Sequence, residues 1–333
     1  MRRKKPFTIR LLANYFSMFF APFSALSGSA SASDLDDNYK LESPPYGIHN
    51  SDSVSLSPKN YLSFSGWGSS SVERIAPQFS KMIKEFDRRA NYYNGGKGGE
   101  HSTHTAGRLG SIPFLLTVSG GQIPPSGGVT VTGSNVNPSS SLRPFKGWLN
   151  GVYGTVSSTA SVMTFTRSSA GSVVPSAGAF QFIPEIGPQH RGDVVFLWMG
   201  KNDVNTYPAQ AIISRTDTSF DWLSPFTERC LVIGHFHDSD WPPDSNQSQK
   251  IDAVNAAYKS RYRELYIDVQ AYLMSSQVWV DTGISPTPQD LMQQSLGQKP
   301  ASLSVDKEHL NDAMYQAINE KLVQPLIRQL GWY

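Results

Sequence analysis

The apolar positions of this chain change period several times, and each change predicts an element. Residues 61–64 read as the end of a buried strand, and Val72, Ile75, Phe79, Met82, Ile83 and Phe86 recur at helical spacing up to about Arg89. Gly66 and Gly68 lie between them and predict a sharp turn, because glycine tolerates backbone angles that a Cβ forbids. Residues 193–199 form a near-continuous apolar run, as in a central parallel strand covered on both faces, and residues 229–234 form a second. A helix is predicted over 250–265, with Ile251, Val254, Tyr258, Tyr262 and Leu265 inward, and a short strand over 278–280. The last helix is predicted to open at 304–309 and to bury Leu310, Met314, Ile318, Leu322 and Leu326. Strands alternating with helices imply an α/β fold with a doubly wound parallel sheet, whose ligands collect at the carboxyl ends of the strands.

Residues 110–188 break this rhythm. They are rich in Ser, Thr, Gly and Val and poor in charge, and 129–132, 152–156 and 161–166 have β-branched or alternating character. An inserted β-rich module is expected there. Its Trp148, Tyr153, Phe165 and Phe180 either offer stacking faces to an extended polar ligand or fill a small core, the second being the commoner role of such residues.

Composition adds bounds. Hydrophobic residues at 39% and charged ones at 17% describe a globular chain long enough for a substantial core. Arg2, Arg3, Lys4, Lys5 and Arg10 fall in residues 1–32, which hold no acid; without them 24 basic side chains face 27 acidic ones. The basic balance therefore belongs to the tip, and no basic body for nucleic acid remains. That tip, with its apolar run and Ala30-Ser-Ala32, is expected to be an export signal, making the protein secreted or periplasmic; its apolar face alternatively predicts a docking helix. Residues 33–58 read as a polar linker, and the α/β body is expected over 59–109 and 189–333. No other run is apolar enough to span a bilayer, and the single Cys230 excludes an intramolecular disulfide.

Four stretches carry candidate chemistry. In Gly68-Ser-Ser-Ser71 a serine stands between strand and helix, with its amide at a helix N-terminus, where negative charge is stabilised. The same residues, followed by Glu73, also fit a capping box. The glycine loop 94–101 lets backbone amides approach a ligand but lacks the spacing of a phosphate loop. Asn202 follows the strand 193–199, with Asp203 expected to hold its turn. Asp306-x-x-His309 supplies a carboxylate and an imidazole, or merely a helix cap.

In this order and context the four stretches resemble the SGNH (GDSL-like) hydrolase family over roughly residues 59–330. The resemblance implies a flavodoxin-like sheet of SGNH-hydrolase type, with Ser70 as nucleophile and Asp306 and His309 completing the triad. The implied oxyanion hole is the N–H of Ser70, the N–H of Gly99 (Gly98 competing) and the side-chain amide of Asn202. Ser69 stands where the family usually has aspartate and Ser71 where it usually has leucine, so Ser69 and Ser71 remain alternative nucleophiles. An α/β-hydrolase elbow is excluded, because Val72 occupies the position of its second glycine.

The chemistry is self-consistent: a serine hydroxyl needs a base, an imidazole serves near neutrality, and a carboxylate fixes its tautomer. His235, His237, Asp238 and Asp240, or His101 and His104, offer metal donors in no named zinc spacing, so neither metal nor cofactor is expected. The expected activity is removal of O-acetyl groups from a polysaccharide, the substrate and the insert resembling those of carbohydrate esterases and bacteriophage-tail deacetylases. The alternatives are a short-chain lipase or thioesterase, and a glycan-binding adhesin on an idle fold; with a docking helix at residues 1–32, a virion tail component becomes the setting.

Overall fold

The computed structural model describes residues 63–332. The expected signal or docking helix, the linker and the start of the first strand at Tyr61 lie outside them. In chain order the α/β part begins with β1 (Ser63–Gly68), α1 (Ser70–Phe86), β2 (Asn91–Gly96) and α2 (Ser102–Leu109). A β-rich segment follows: β3 (Phe114–Val118), β4 (Gln122–Ile123), β5 (Gly128–Gly133), β6 (Phe145–Leu149), β7 (Val152–Ser158), β8 (Met163–Arg167), β9 (Val174–Pro175) and β10 (Ala179–Pro184). After α3 (Ile186–Gln189) the alternation resumes with β11 (Val194–Trp198), α4 (Ala209–Leu223), β12 (Cys230–Ile233), α5 (Asn246–Tyr262) and β13 (Tyr266–Ile267). Helices α6 (Val269–Leu273), α7 (Gln277–Thr282), α8 (Pro288–Ser295), α9 (Asp312–Ala317) and α10 (Gln324–Gln329) complete the described chain.

The five parallel strands lie in the order β13-β12-β11-β1-β2, with β1 paired to both β11 and β2. From β1 the sheet grows to β2 on one side and through β11, β12 and β13 on the other, so the strand order switches between β1 and β11 and the crevice of this doubly wound sheet opens beyond their carboxyl ends. Alternate strand residues serve opposite layers. Phe64, Val194, Phe196 and Trp198 pack with α1, α9 and α10, whereas Val195, Leu197 and Val232 pack with α4 and α5. All six apolar positions expected on the first helix are buried. No helix among the described residues is long and apolar enough to cross a membrane.

The β-rich segment closes into an antiparallel barrel, β10-β3-β5-β8-β7-β6. Phe114, Leu116, Phe145, Leu149, Val156, Phe165 and Phe182 fill it. Phe165 is therefore core, and Phe180 packs against the same cluster from a half-buried position. Trp148 and Tyr153 sit outside as a cross-strand pair, ring centroids 5.0 Å apart.

Three expectations fail. Gly66 and Gly68 lie inside β1, not in a turn: a Cβ on Gly68 would strike the Trp198 carbonyl and one on Gly66 the Tyr92 hydroxyl, so close packing excludes a side chain there. Residues 278–280 belong to the helix α7, not a strand; Val278 and Trp279 face α9, and a short apolar run does not distinguish the two. The last helix begins at Asp312, capped by Asn311, so 304–309 precede it as a loop. Its stripe also slips. A π turn over Ile318–Val323 inserts one residue ahead of Pro325, which cannot donate a backbone hydrogen bond, and Val323 and Ile327 are buried in place of Leu322 and Leu326.

Candidate active site

Strand β1 ends at Gly68, and the chain turns at Ser69, whose φ of −104° and ψ of −142° lie outside the helical region. Ser69 makes no side-chain cap bond, and Glu73 reaches away to accept the Gly98 amide at 2.7 Å, so the capping box is not formed. Ser70 is the first residue of the 17-residue helix α1, where the amides of the first turn have no intrahelical acceptor. Of the three serines, Ser69 and Ser71 are buried and Ser70 is half-exposed.

The glycine loop is tied to this turn. Lys97 donates its amide to the Gly68 carbonyl at 3.2 Å, and a Cβ on Gly98 would lie 3.9 Å from that of Ser70. The Gly98 amide is engaged by Glu73, and the Gly99 amide has no partner among the described residues. Gly99 has φ +77°, and a Cβ there would meet the Ser141 hydroxyl, so glycine is required on both counts. Asn202 follows Gly200, itself at φ +114°, and its Nδ2 donates to the Glu100 carbonyl at 2.9 Å, which sets it beside the same loop and leaves its second N–H available. Asp203 is buried and accepts the amide and hydroxyl of Ser102 at 2.8 and 2.7 Å and the Arg215 guanidinium at 2.8 Å. Burial raises its pKa and these partners oppose the shift; its hydrogen bonds fasten the turn to α2.

Asp306 and His309 lie in the loop closed by the Ser304–Leu310 bridge. His309 Nδ1 is 2.8 Å from Asp306 Oδ2, and the Glu308 and His309 amides donate to Asp306 Oδ1 at 2.8 and 2.7 Å. Burial alone would raise the Asp306 pKa, but the imidazole and the two amides outweigh it and hold the carboxyl at about 2. Asp306 therefore does not cap α9. The Tyr315 hydroxyl, buried and pushed up to about 12, faces the Ser71 side chain and the Leu310 main chain, the chain neighbours of Ser70 and His309. Among the described residues no hydrogen bond joins Ser70 directly to His309, whose Nδ1 is engaged by Asp306.

The histidines considered as metal donors diverge. His235 Nε2 is 3.1 Å from the Met199 carbonyl, whereas His237 Nε2 is 2.9 Å from Asp252. Burial, helped by the Lys201 ammonium, lowers His235 to about 3 and keeps it neutral. His104 Nε2 is 3.1 Å from the Asn137 carbonyl, and His101 packs on Tyr207, ring centroids 5.6 Å apart. Among the described residues no group of three or more His, Cys, Asp or Glu converges on a point.

Three supporting groups escaped sequence reasoning. Glu100 is fully buried in an ion pair with Arg108 (2.5 Å) and also accepts the Arg143 amide at 2.9 Å. Arg143 comes from the barrel segment and donates to the carbonyls of Asn94 and Gly96, which seats residues 137–143 against the glycine loop. Lys299 is buried beneath the Asp306–His309 loop. A charged residue in a polar stretch carries no local sign of burial; only partners tens of residues away reveal it.

No family model matches the chain, and no curated protein does. Solved structures similar to it include the following two. One is a member of the lipolytic protein G-D-S-L family from Veillonella parvula DSM 2008, 9% identical, covering 79% of this chain and 99% of its own, with a TM-score of 0.38. The other is a peptidoglycan O-acetylesterase captured in action, 11% identical, covering 82% of this chain and 92% of its own, with a TM-score of 0.32.

Proposed function

We propose that the chain is a serine ester hydrolase of the SGNH type, acting on O-acetyl groups of a polysaccharide. The observation that carries the reading is the Asp306–His309 pair, Nδ1 to Oδ2 at 2.8 Å, with the Tyr315 hydroxyl facing both Leu310, next to His309, and Ser71, next to Ser70. His309 Nδ1–H is held by the carboxylate, so Nε2 is the basic nitrogen. It takes the Ser70 proton as Oγ attacks the ester carbonyl, and returns it to the departing sugar oxygen. The oxyanion falls to the Ser70 and Gly99 amides and Asn202 Nδ2. Water, deprotonated by the same nitrogen, then releases acetate and frees Ser70.

The preference for a glycan over a lipid rests on the wall beside the glycine loop. Its residues Asn137, Ser139, Ser140, Ser141 and Arg143 are polar, which suits a hydroxylated substrate. An export signal at residues 1–32 would suit such a substrate. The decisive assay is p-nitrophenyl acetate hydrolysis by wild type, Ser69→Ala, Ser70→Ala and Ser71→Ala, followed by acetate release from a panel of acetylated glycans. Loss of turnover only in Ser70→Ala is expected. Equal rates in wild type and Ser70→Ala would remove the nucleophile, and a folded, inert wild type that retains acetylated glycan would favour the adhesin.

A further inference from the structure

A lysine with no exposed surface lies under the imidazole loop. Lys299 Nζ donates to the Ser304 hydroxyl at 2.7 Å, the Asp306 carbonyl at 2.7 Å and the His309 carbonyl at 3.3 Å. Three acceptors match the three N–H bonds of an ammonium. The loop is thus gathered around a single cation, with both triad members of the loop held by their main chain. Asp238 faces this cation and forms an ion pair with Lys201 at 2.8 Å, immediately before Asn202. The imidazole loop and the Asn202 turn therefore share one buried electrostatic chain, Lys299–Asp238–Lys201.

We propose that Lys299 is a positioning residue for the hydrolase reaction, its ammonium fixing the Asp306–His309 loop so that the imidazole is delivered to Ser70. The inference rests on the proposed esterase reading. It has a consequence in pH. Four charged groups face Lys299: Asp238, Asp306 and Asp240 favour the ammonium, and Lys201 opposes it. Burial outweighs them and lowers the group to about 8. A neutral amine has two N–H bonds for three acceptors. Its lone pair finds no donor in Ser304, whose proton already goes to the Pro300 carbonyl at 2.7 Å. The longest bond, to the His309 carbonyl, is the one released. Deprotonation loosens the loop at the imidazole itself.

The test is the pH profile of kcat for p-nitrophenyl acetate in wild type and Lys299→Met, with circular dichroism to verify folding. Wild-type kcat is expected to fall above pH about 8. Lys299→Met is expected to lose roughly 10- to 100-fold in kcat at pH 7, the scale of a small misplacement, with KM little changed and no such alkaline fall. A folded Lys299→Met with wild-type kcat, or with the alkaline fall intact, overturns the proposal while leaving the esterase reading in place. If wild type is inert, or the variant does not fold, amide exchange of wild type decides the matter. The Val305 amide donates to the His309 carbonyl at 3.1 Å, and its protection should drop above pH 8 relative to helical amides of α1. Unchanged relative protection through pH 9.5 overturns the proposal.

Discussion

His309 Nδ1 stands 2.8 Å from Asp306 Oδ2, yet that carboxylate keeps 47% of its side-chain surface in solvent. In a buried triad, exchanging the acid for its amide reverses the tautomer preference and costs about 10⁴ in kcat. Water beside Asp306 can take over part of that task. Asp306→Asn is therefore expected to lower kcat roughly 100- to 1,000-fold, short of the buried case, with KM near wild type. Steady-state kinetics on p-nitrophenyl acetate measure it, and a loss under threefold would deny the carboxylate its role. Because Asp306 is held at about 2, it stays ionised through any ordinary assay range and does not set the acid limb of the profile.

Asn202 offers a prediction with a different signature. Its Nδ2 uses one N–H on the Glu100 carbonyl and has a second for the proposed oxyanion. Asn202→Ala removes a donor that matters only once charge develops on the carbonyl oxygen. The expected loss is roughly 100- to 1,000-fold in kcat, with KM little affected. Gly99→Ala is expected to lose as much by a different route: alanine at φ +77° is strained, and its methyl group meets Ser141. A variant at either position with wild-type kcat would take that residue out of the oxyanion hole.

Periodicity made the α/β frame readable, because a helix face such as Val72–Ile75–Phe79–Met82 is written locally. The run 193–199 likewise showed a strand covered on both sides, and β11 is its realisation. Features set by distant neighbours left no local sign. Gly66 and Gly68 look like turn residues until Tyr92 and Trp198 occupy the space beside them. The π turn that moves the buried stripe from Leu322 to Val323 follows from Pro325, two residues further on, and no heptad count contains it. At the candidate site, the pairing of Asp306 with His309 was legible because a carboxylate three residues before an imidazole is written locally. Glu100, Arg143 and Lys299 were not, since their partners are brought to them only by folding.

The neutral His235 predicts a pH-dependent stability. Its folded pKa is about 3 against an ordinary 6.5, chiefly through burial, so an unfolded chain binds a proton that the native state refuses. Native stability from this site is fully present above pH 6.5 and is lost as pH falls from there towards 3, at up to about 1.4 kcal/mol per unit. His235→Gln keeps a donor for the Met199 carbonyl and has no proton to gain. The melting temperature of wild type should thus fall more steeply than that of the variant between pH 6.5 and 4. Parallel curves would mean that His235 is not held neutral.

The Glu100–Arg108 pair makes the last prediction, and it separates charge from packing. Both side chains are fully buried, and the carboxylate also receives the Arg143 amide and, at 3.3 Å, the Thr105 hydroxyl. Glu100→Gln leaves the Arg108 cation buried without its counter-charge, which typically costs about 3–5 kcal/mol. For a chain of this size that corresponds to a fall of roughly 6–20 °C in melting temperature, at about 2–4 °C per kcal/mol. The double variant Glu100→Gln with Arg108→Met removes the stranded charge and should recover a large part of the loss. Activity should not recover with it. Arg143 and Thr105 would still have lost their carboxylate, and the loop carrying Gly99 and the acceptor of Asn202 would remain loosely held. Differential scanning calorimetry and ester hydrolysis on wild type, Glu100→Gln and the double variant resolve the two effects. A double variant no more stable than Glu100→Gln would show that the site depends on the pair's shape instead of its charge balance.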